Sequence, residues 1–289
     1  MQGAKFDEVL FADDTICISQ NTRAMNRMLK AIEGIGKQSG MRLNKGKCEV
    51  LQFGPRAKVV FADKREVKVV TQAKYLGCVL NKENSTLVEV RGRIRDAMAT
   101  LKRMHSFWRH SNCNLRFKIT VIQAVLFAKV LFGLESAELT AGALKALDVF
   151  HLKCLRKVLK MKTTYVERAN TNEEVFRNAN AQMKEGEVIK PLSKIYLERK
   201  QLFYCKVAMA HEEDPIKTIT FQQNTLTPRI HVPRRVGRPK TKWASSEGRR
   251  LWNRMQETQD ARVAYNEKSM EQGQQLRQYA EELIKQRKR

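Results

Sequence analysis

Several features are scarce in this 289-residue chain, and each scarcity excludes a class of protein. No apolar run reaches the roughly 18 residues that a membrane-spanning helix needs, so no membrane partner is expected. The six cysteines (17, 48, 78, 113, 154 and 205) are scattered, with no paired Cys-x-x-Cys. Each lies in or beside an apolar segment, which points to free thiols in a reducing compartment rather than a disulfide framework. His110-x-x-Cys113 and His151-x-x-Cys154 have a spacing that could suit zinc, but both lie in helical stretches where it serves packing, so no zinc is expected. Met1-Gln2-Gly3-Ala4-Lys5 lacks the apolar core of a signal peptide, and the chain is expected to be intracellular. Acidic residues are also short, at 30 against 55 Lys and Arg, which leaves a net charge of +25 and a pI near 10.0. A surplus of that size points to a polyanionic partner, of which nucleic acid is the commonest, and favours the nucleus over the cytoplasm.

What the chain does have is length and apolar content (42%) sufficient for a core in one large or two ordinary domains. Its most informative stretch is Val9-Leu10-Phe11-Ala12-Asp13-Asp14-Thr15-Ile16-Cys17-Ile18, where β-formers run into two adjacent carboxylates and out again. This reads as a tight hairpin with the aspartates at its tip. Asp-Asp alone is an ordinary turn dipeptide, because Asp bonds its own backbone. Two carboxylates held on an exposed turn are also what Mg²⁺ takes alongside water and phosphate oxygens, as in a two-metal phosphoryl-transfer site.

After the hairpin, Asn21 or Thr22 caps a helix carrying Met25, Met28, Leu29, Ile32 and Ile35 and closing at Gly36 and Gly40. Strands follow at Lys47–Phe53, at a Lys58–Val70 hairpin turning near Asp63-Lys64, and at Tyr75–Leu80. Residues 1–83 therefore predict a small α+β layer of antiparallel strands with one packed helix. From 84 to 165 the pattern is helical. Leu87 to Trp108 form one stripe over about six turns, a more apolar helix spans Leu115 to Phe132, and a third spans Ala143 to Lys160. Residues 161–190 are polar and Asn-rich and read as loosely structured, with a further helix near Leu192–Ala210, inside a helical extension of 166–221. From 222 to 289 the chain reads as a basic linker followed by a charged segment, either a solvated helix or a disordered arm. Pro215, Pro228, Pro233 and Pro239 exclude a long regular element across 215–243.

Three landmarks stand in order: Phe11-Ala12-Asp13-Asp14; Gly40, Leu43, Asn44 and Lys47-Cys48-Glu49; and Lys74-Tyr75-Leu76-Gly77. With the helices that follow, they resemble the C-terminal half of a reverse transcriptase of the non-LTR (LINE-type) retrotransposon family. The resemblance implies a partial palm followed by a helical thumb, and an RNA-directed DNA polymerase requiring Mg²⁺ or Mn²⁺. It assigns Asp13 as the catalytic metal ligand with Asp14 beside it. Lys47 would lie near the incoming nucleotide's phosphates, or be an ordinary strand-end lysine. Tyr75 and Gly77 would hold the primer, with core packing an equally available role for Tyr75. Arg91, Arg93, Arg95, Lys102 and Arg103 would follow the template–primer backbone from the outer side of the first thumb helix. Arg235, Arg238 and Lys240 lie in a basic segment similar to one found downstream in such elements. Gly237-Arg238-Pro239 also resembles an AT-hook centre, although a plain basic linker is preferred because Val236 stands where Arg is usual.

The chain also departs from that family. A palm site needs a carboxylate from an earlier strand, and only twelve residues precede Asp13; Asp7 lies too close on the same strand to serve. The fingers have no counterpart. The expectation is a chain that binds RNA/DNA template–primer without polymerising alone, or a non-catalytic nucleic-acid-binding module of the same descent. Expressed separately, it would have the missing fingers and palm half as a possible partner.

Overall fold

The computed structural model describes residues 8–54, 58–83, 85–229, 243–259 and 263–286. The chain divides into two compact units, Met1–Ser85 and Thr86–Arg289.

The first unit opens with β1 (Glu8–Phe11) and β2 (Asp14–Cys17), antiparallel and in the register Phe11↔Asp14 across a two-residue turn. Helix α1 (Thr22–Gln38) starts where the Asn21 carboxamide accepts the Ala24 N–H at 2.8 Å, and it ends before Gly40, whose φ is +73°. Its apolar side supplies Met25 and Leu29, which pack with Leu43, Cys48 and Val50 around a small core of Val59, Phe61 and Val67. Two α1 side chains also satisfy backbone donors in the segment they cover. Asn26 accepts from the Val60 N–H at 3.0 Å, and Glu33 accepts from the Ala62 N–H at 2.9 Å. Lys45 bridges Glu33 and Asp63, at 2.9 Å to each, while lying over the Phe61 ring.

The expected antiparallel sheet is corrected here. The described strands form three separate two-stranded sheets. The Lys58–Val70 hairpin does turn near Asp63, with Val60 bridged antiparallel to Glu66. Its second arm then continues as β4 (Lys68–Val70), which pairs parallel to β3 (Glu49–Leu51). Alternating hydrophobicity specifies which face of a strand is buried and is silent on the direction of its partner. The last pair, β5 (Gln72–Tyr75) and β6 (Cys78–Asn81), is antiparallel around Leu76-Gly77.

The second unit is helical. The predicted six-turn stripe is broken at Met104 into α2 (Thr86–Arg103) and α3 (His105–His110). The break lets the Trp108 indole fold back and donate to the Leu101 carbonyl at 2.9 Å. Next come α4 (Leu115–Val121), one wider π-type turn at Ile122–Phe127, and α5 (Ala128–Leu131), ended by Gly133 at φ +65°. The π turn contributes Ile122, Leu126 and Phe127 to the core, so the expected central apolar helix is present with an inserted bulge. Helix α6 (Ala141–Leu159) is capped by Thr140 and buries Leu147, Phe150, His151, Leu155 and Val158.

Residues 161–190, expected to be loose, contain α7 (Asn172–Asn180). Thr171 caps it, Glu173 and Glu174 stand at its positive end, and Val175 and Ala179 are fully buried at i,i+4. Phe176 adds a larger contact on the same core, its ring edge-on to His151 of α6 at 5.2 Å.

Helix α8 (Leu192–Met209) buries residues on several sides, because different partners cover it along its length. Its first half joins the core of α2 to α7, with the Tyr196 hydroxyl donating to the Ala137 carbonyl at 2.6 Å. Its second half, through Tyr204, Cys205 and Ala208, packs with α10 (Trp243–Gln259) and α11 (Met270–Gln286). Between these lies the short α9 (Pro215–Thr220), with Pro at its first position and Asp214 as cap.

The C-terminal segment is therefore not a solvated arm. Leu251, Trp252, Met255, Leu276 and Ala280 are all at least 97% buried. Its charge was a poor guide because a narrow stripe is enough when the facing helix is itself apolar. No described helix is long and apolar enough to cross a membrane.

Candidate nucleic-acid interface

The Asp13–Asp14 hairpin is built as its residues dictate. Phe11 and Asp14 pair across Ala12-Asp13, and of the two turn residues only Ala12 has positive φ, at +52°. That is the type II′ pattern, whose twist matches antiparallel strands and whose first position usually holds glycine. Both aspartates are exposed at the tip. No hydrogen bond or ion pair joins either of them to Lys47 among the described residues. The described residues also contain no group of three or more His, Cys, Asp or Glu able to hold a metal ion. Asp13 and Asp14 thus offer two carboxylates, a number Mg²⁺ accepts when water and phosphate oxygens complete its shell.

Behind the tip, burial raises the Cys17 thiol pKa, and the Glu8 carboxylate and Cys48 raise it further. Burial likewise raises that of Cys48, which precedes β3 and whose Sγ donates to the Asn44 carbonyl at 3.4 Å. Lys47 is exposed on the turn that Asn44 opens, its own N–H donating to the Asn44 carbonyl at 3.0 Å. Its neighbour Lys45, which the sequence did not single out, is the lysine of this turn held by carboxylates. Tyr75 and Cys78 flank the β5–β6 turn, where Leu76 and Gly77 have φ of +46° and +81°. Two positive values mark a type I′ turn, and glycine at the second position meets its requirement. Tyr75 is half-buried, with no hydrogen-bond partner for its hydroxyl among the described residues.

In the helical unit, Arg91 and Arg95 are exposed on α2, as are Lys102 and Arg103. Arg93 is not part of that outer row. It pairs with Glu89 at 2.6 Å, donates to the Phe132 carbonyl, and its side chain is 10% exposed. It is a packing residue, because i,i+4 pairing turns it inward. Arg235, Arg238 and Lys240 lie outside the described residues.

A further cationic surface went unnoticed in the sequence. Lys153, Arg156, Lys157 and Lys160 on and just after α6 meet His105, Trp108 and Arg109 of α3, with Met161 and Thr163, around an open concavity of about 660 Å³. Its four α6 cations recur at i, i+3, i+4 and i+7, which is one face of a helix. That spacing is the signal in the sequence, and it lies beside the stronger apolar stripe of the same helix.

No family model matches this chain, and no solved structure matches it. It is 27% identical over 164 residues to the retrovirus-related Pol polyprotein of the type-1 retrotransposable element R2 of Popillia japonica, a match covering 52% of this chain and 32% of that protein. It is 20% identical over 182 residues to an uncharacterised transposon-derived protein of Caenorhabditis elegans, covering 61% of this chain and 65% of that one. The chain thus spans about a third of the first relative's length and just under two thirds of the second's. The first is a retrotransposon polyprotein and the second a transposon-derived protein, and the likeness suggests a retrotransposon origin for this chain.

Proposed function

We propose that this chain is a retrotransposon-derived, template–primer-binding portion of an RNA-directed DNA polymerase, carrying part of a two-metal nucleotidyl-transfer site. The observation that carries this reading is the Phe11-Ala12-Asp13-Asp14 hairpin, which holds two exposed carboxylates on a tight turn in a chain of net charge +25. The likeness to a retrotransposon Pol polyprotein supports it. In this reading residues 1–83 are a partial palm and the helices after them a thumb. Asp13 and Asp14 would hold Mg²⁺ or Mn²⁺, and the bound ion would supply charge stabilisation at a reacting phosphate. Lys47, Tyr75 and Gly77 would position nucleotide and primer, and Arg91 and Arg95, with Arg235, Arg238 and Lys240, would neutralise backbone phosphates.

The second reading is a binding module without catalysis. It is favoured by the carboxylate inventory, since Asp13 and Asp14 have no third partner among the described residues. Measuring primer extension and filter binding side by side, on the wild type and Asp13→Ala, separates the two. Salt-sensitive binding by both proteins is expected, with no extension by the isolated chain. Robust extension that disappears in Asp13→Ala would establish a complete active site and rule out the module. Absence of binding at low salt would remove both readings.

A further inference from the structure

The concavity between α3 and α6 has the composition of an anion site. Lys153, Arg156, Lys157, Lys160, Arg109 and His105 line it, and none of its nine lining residues is acidic. Basic residues near a helix C-terminus ordinarily complement the helix dipole. That effect is confined to the last turn, whereas Lys153 stands two turns from the end and His105 and Arg109 come from another helix. Four or more like charges around one hollow repel each other, so the arrangement is costly until a polyanion fills it.

Two details mark the hollow as organised. The Arg156 guanidinium is fixed by its Nη2, which donates to the Asn170 carbonyl at 3.0 Å and to Asn172 Oδ1 at 3.1 Å. Its Nε is buried with no hydrogen-bond partner among the described residues. Lys160 caps α6 in the left-handed region, at φ +57°, a position that glycine or asparagine usually takes. A lysine there stands where its charge reaches the hollow, at some cost in backbone strain.

The turn that follows the last lining residue carries an exposed aromatic group. Thr163 lines the hollow, and its carbonyl accepts the N–H of Val166 and of Glu167, each at 2.9 Å, forming a tight turn. Tyr165 sits on that turn with 96% of its surface exposed. The large aromatic that does line the hollow, Trp108, is 2% exposed and cannot stack with a ligand. A row of cations with an exposed aromatic two residues beyond the lining Thr163 is the combination that binds single-stranded nucleic acid, with the backbone in the charged groove and a base on the ring.

We propose that the α3–α6 hollow is a single-strand site, with Lys153, Lys157, Lys160 and the tethered Arg156 taking consecutive phosphates and Tyr165 stacking on a base. This inference rests on the nucleic-acid-binding reading above and adds a place and a strandedness to it. A duplex keeps its bases stacked internally and offers none to Tyr165.

The test is fluorescence anisotropy of a labelled oligothymidylate, and of the same strand paired with its complement, against the full chain over a salt series. Lys153→Gln/Lys157→Gln/Lys160→Gln changes three exposed side chains and leaves the Arg156 tether in place. Exposed lysines outside the hollow provide a charge-matched control, Lys145→Gln/Lys194→Gln/Lys206→Gln. The hollow variant is expected to flatten the log affinity against log salt slope by about 2, at roughly 0.7 per single-strand phosphate, and the control to flatten it far less. Tyr165→Ala is expected to weaken single-strand binding about tenfold with the slope unchanged and to leave duplex binding as it was. Equal flattening by both lysine variants would mean diffuse binding and overturn the site. Tight duplex binding indifferent to Tyr165→Ala would overturn the strandedness. A wild type that binds neither oligonucleotide would instead remove the proposed function, and the site with it.

Discussion

The Lys200 ammonium lies 3.2 Å from a Glu247 carboxylate oxygen, and neither side chain reaches solvent. Lys200 also pairs with Glu138, and Glu247 with Arg250 at 2.5 Å, so a chain of alternating charges ties α8 to α10 and to the segment before α6. Buried pairs of this kind add little net stability against apolar replacements, but losing one partner leaves the other charged and dry. Glu138 still faces Lys200 when Glu247 is removed, so Glu247→Ala is expected to destabilise the protein by less than the roughly 3 kcal/mol of a wholly unpaired buried charge. Lys200→Met/Glu247→Leu should recover most of that loss. Urea denaturation checks both, and a double variant no better than the single one would show that the pair is not the source of the cost.

His151 stands at the centre of the other half of that core. Its ring meets Phe127 edge-on at 4.5 Å and Phe176 at 5.2 Å, and neither nitrogen has a hydrogen-bond partner among the described residues. Burial lowers its pKa to about 4, from 6.5. Because the folded pKa is depressed, the contribution of neutral His151 is complete above pH 6.5. It declines as the unfolded state takes up the proton and is gone below about 4. The loss over that window is roughly 3 kcal/mol. Thermal melts between pH 7 and 4 should show it, and His151→Phe should flatten that part of the profile.

Gly248 occupies a place that no larger residue fits. A Cβ there would stand 2.8 Å from the Tyr265 hydroxyl and 2.9 Å from that of Tyr204. Alanine is ordinarily worth up to about 1 kcal/mol over glycine inside a helix. Overpacking costs about 1–3 kcal/mol, so Gly248→Ala is expected to lower stability despite its better helix propensity. Repeating it in a Tyr204→Phe/Tyr265→Phe background should restore the ordinary preference, and a thermal melt of the four proteins tests the sign.

Ala12 carries strain at the tip of the β1–β2 hairpin. Its φ of +52° costs a residue with a Cβ roughly 1–2 kcal/mol, a cost glycine escapes. Ala12→Gly should slow amide exchange at Val9 and Ile16, the hydrogen-bonded pair next along the ladder, without moving Asp13 or Asp14. Faster exchange would mean that the freedom glycine gains in the unfolded chain outweighs the relieved strain.

Much of this structure was legible in the sequence where one physical signal stood alone. The acidic hairpin between two β-rich runs and the helix capped at Asn21 were readable, as were the stretches around α6 and α8, although the hairpin's turn is Ala12-Asp13 and Asp14 already belongs to β2. The misreadings came from competition between signals. The pairing direction of β3 and β4 depends on a chain path that alternation does not encode. Asn172 to Asn180 looks loose by composition, yet Thr171, Glu173 and Glu174 supply a cap and favourable charge that a polarity count overlooks. The charged C-terminal segment folds because α8 exposes a second apolar side to it, a fact about α8 rather than about the tail. The cationic face of α6 was masked by the apolar face beside it. Arg93 looked like an outer-row arginine until Glu89, one turn away, was seen to turn it inward.

Among the described residues the first unit has three buried hydrophobic residues in its core, Val59, Phe61 and Val67, whereas the second encloses 36 across its two clusters. At about 1.5–3 kcal/mol per buried side chain, the two units are held by very different reserves. Opening of the first is the cheaper event, and the β1–β2 hairpin belongs to that unit. The aspartates therefore sit on the part of the molecule first lost to heat or protease, while the cationic helices persist. Selection acting on the hairpin and selection acting on the helical unit can then proceed at separate rates.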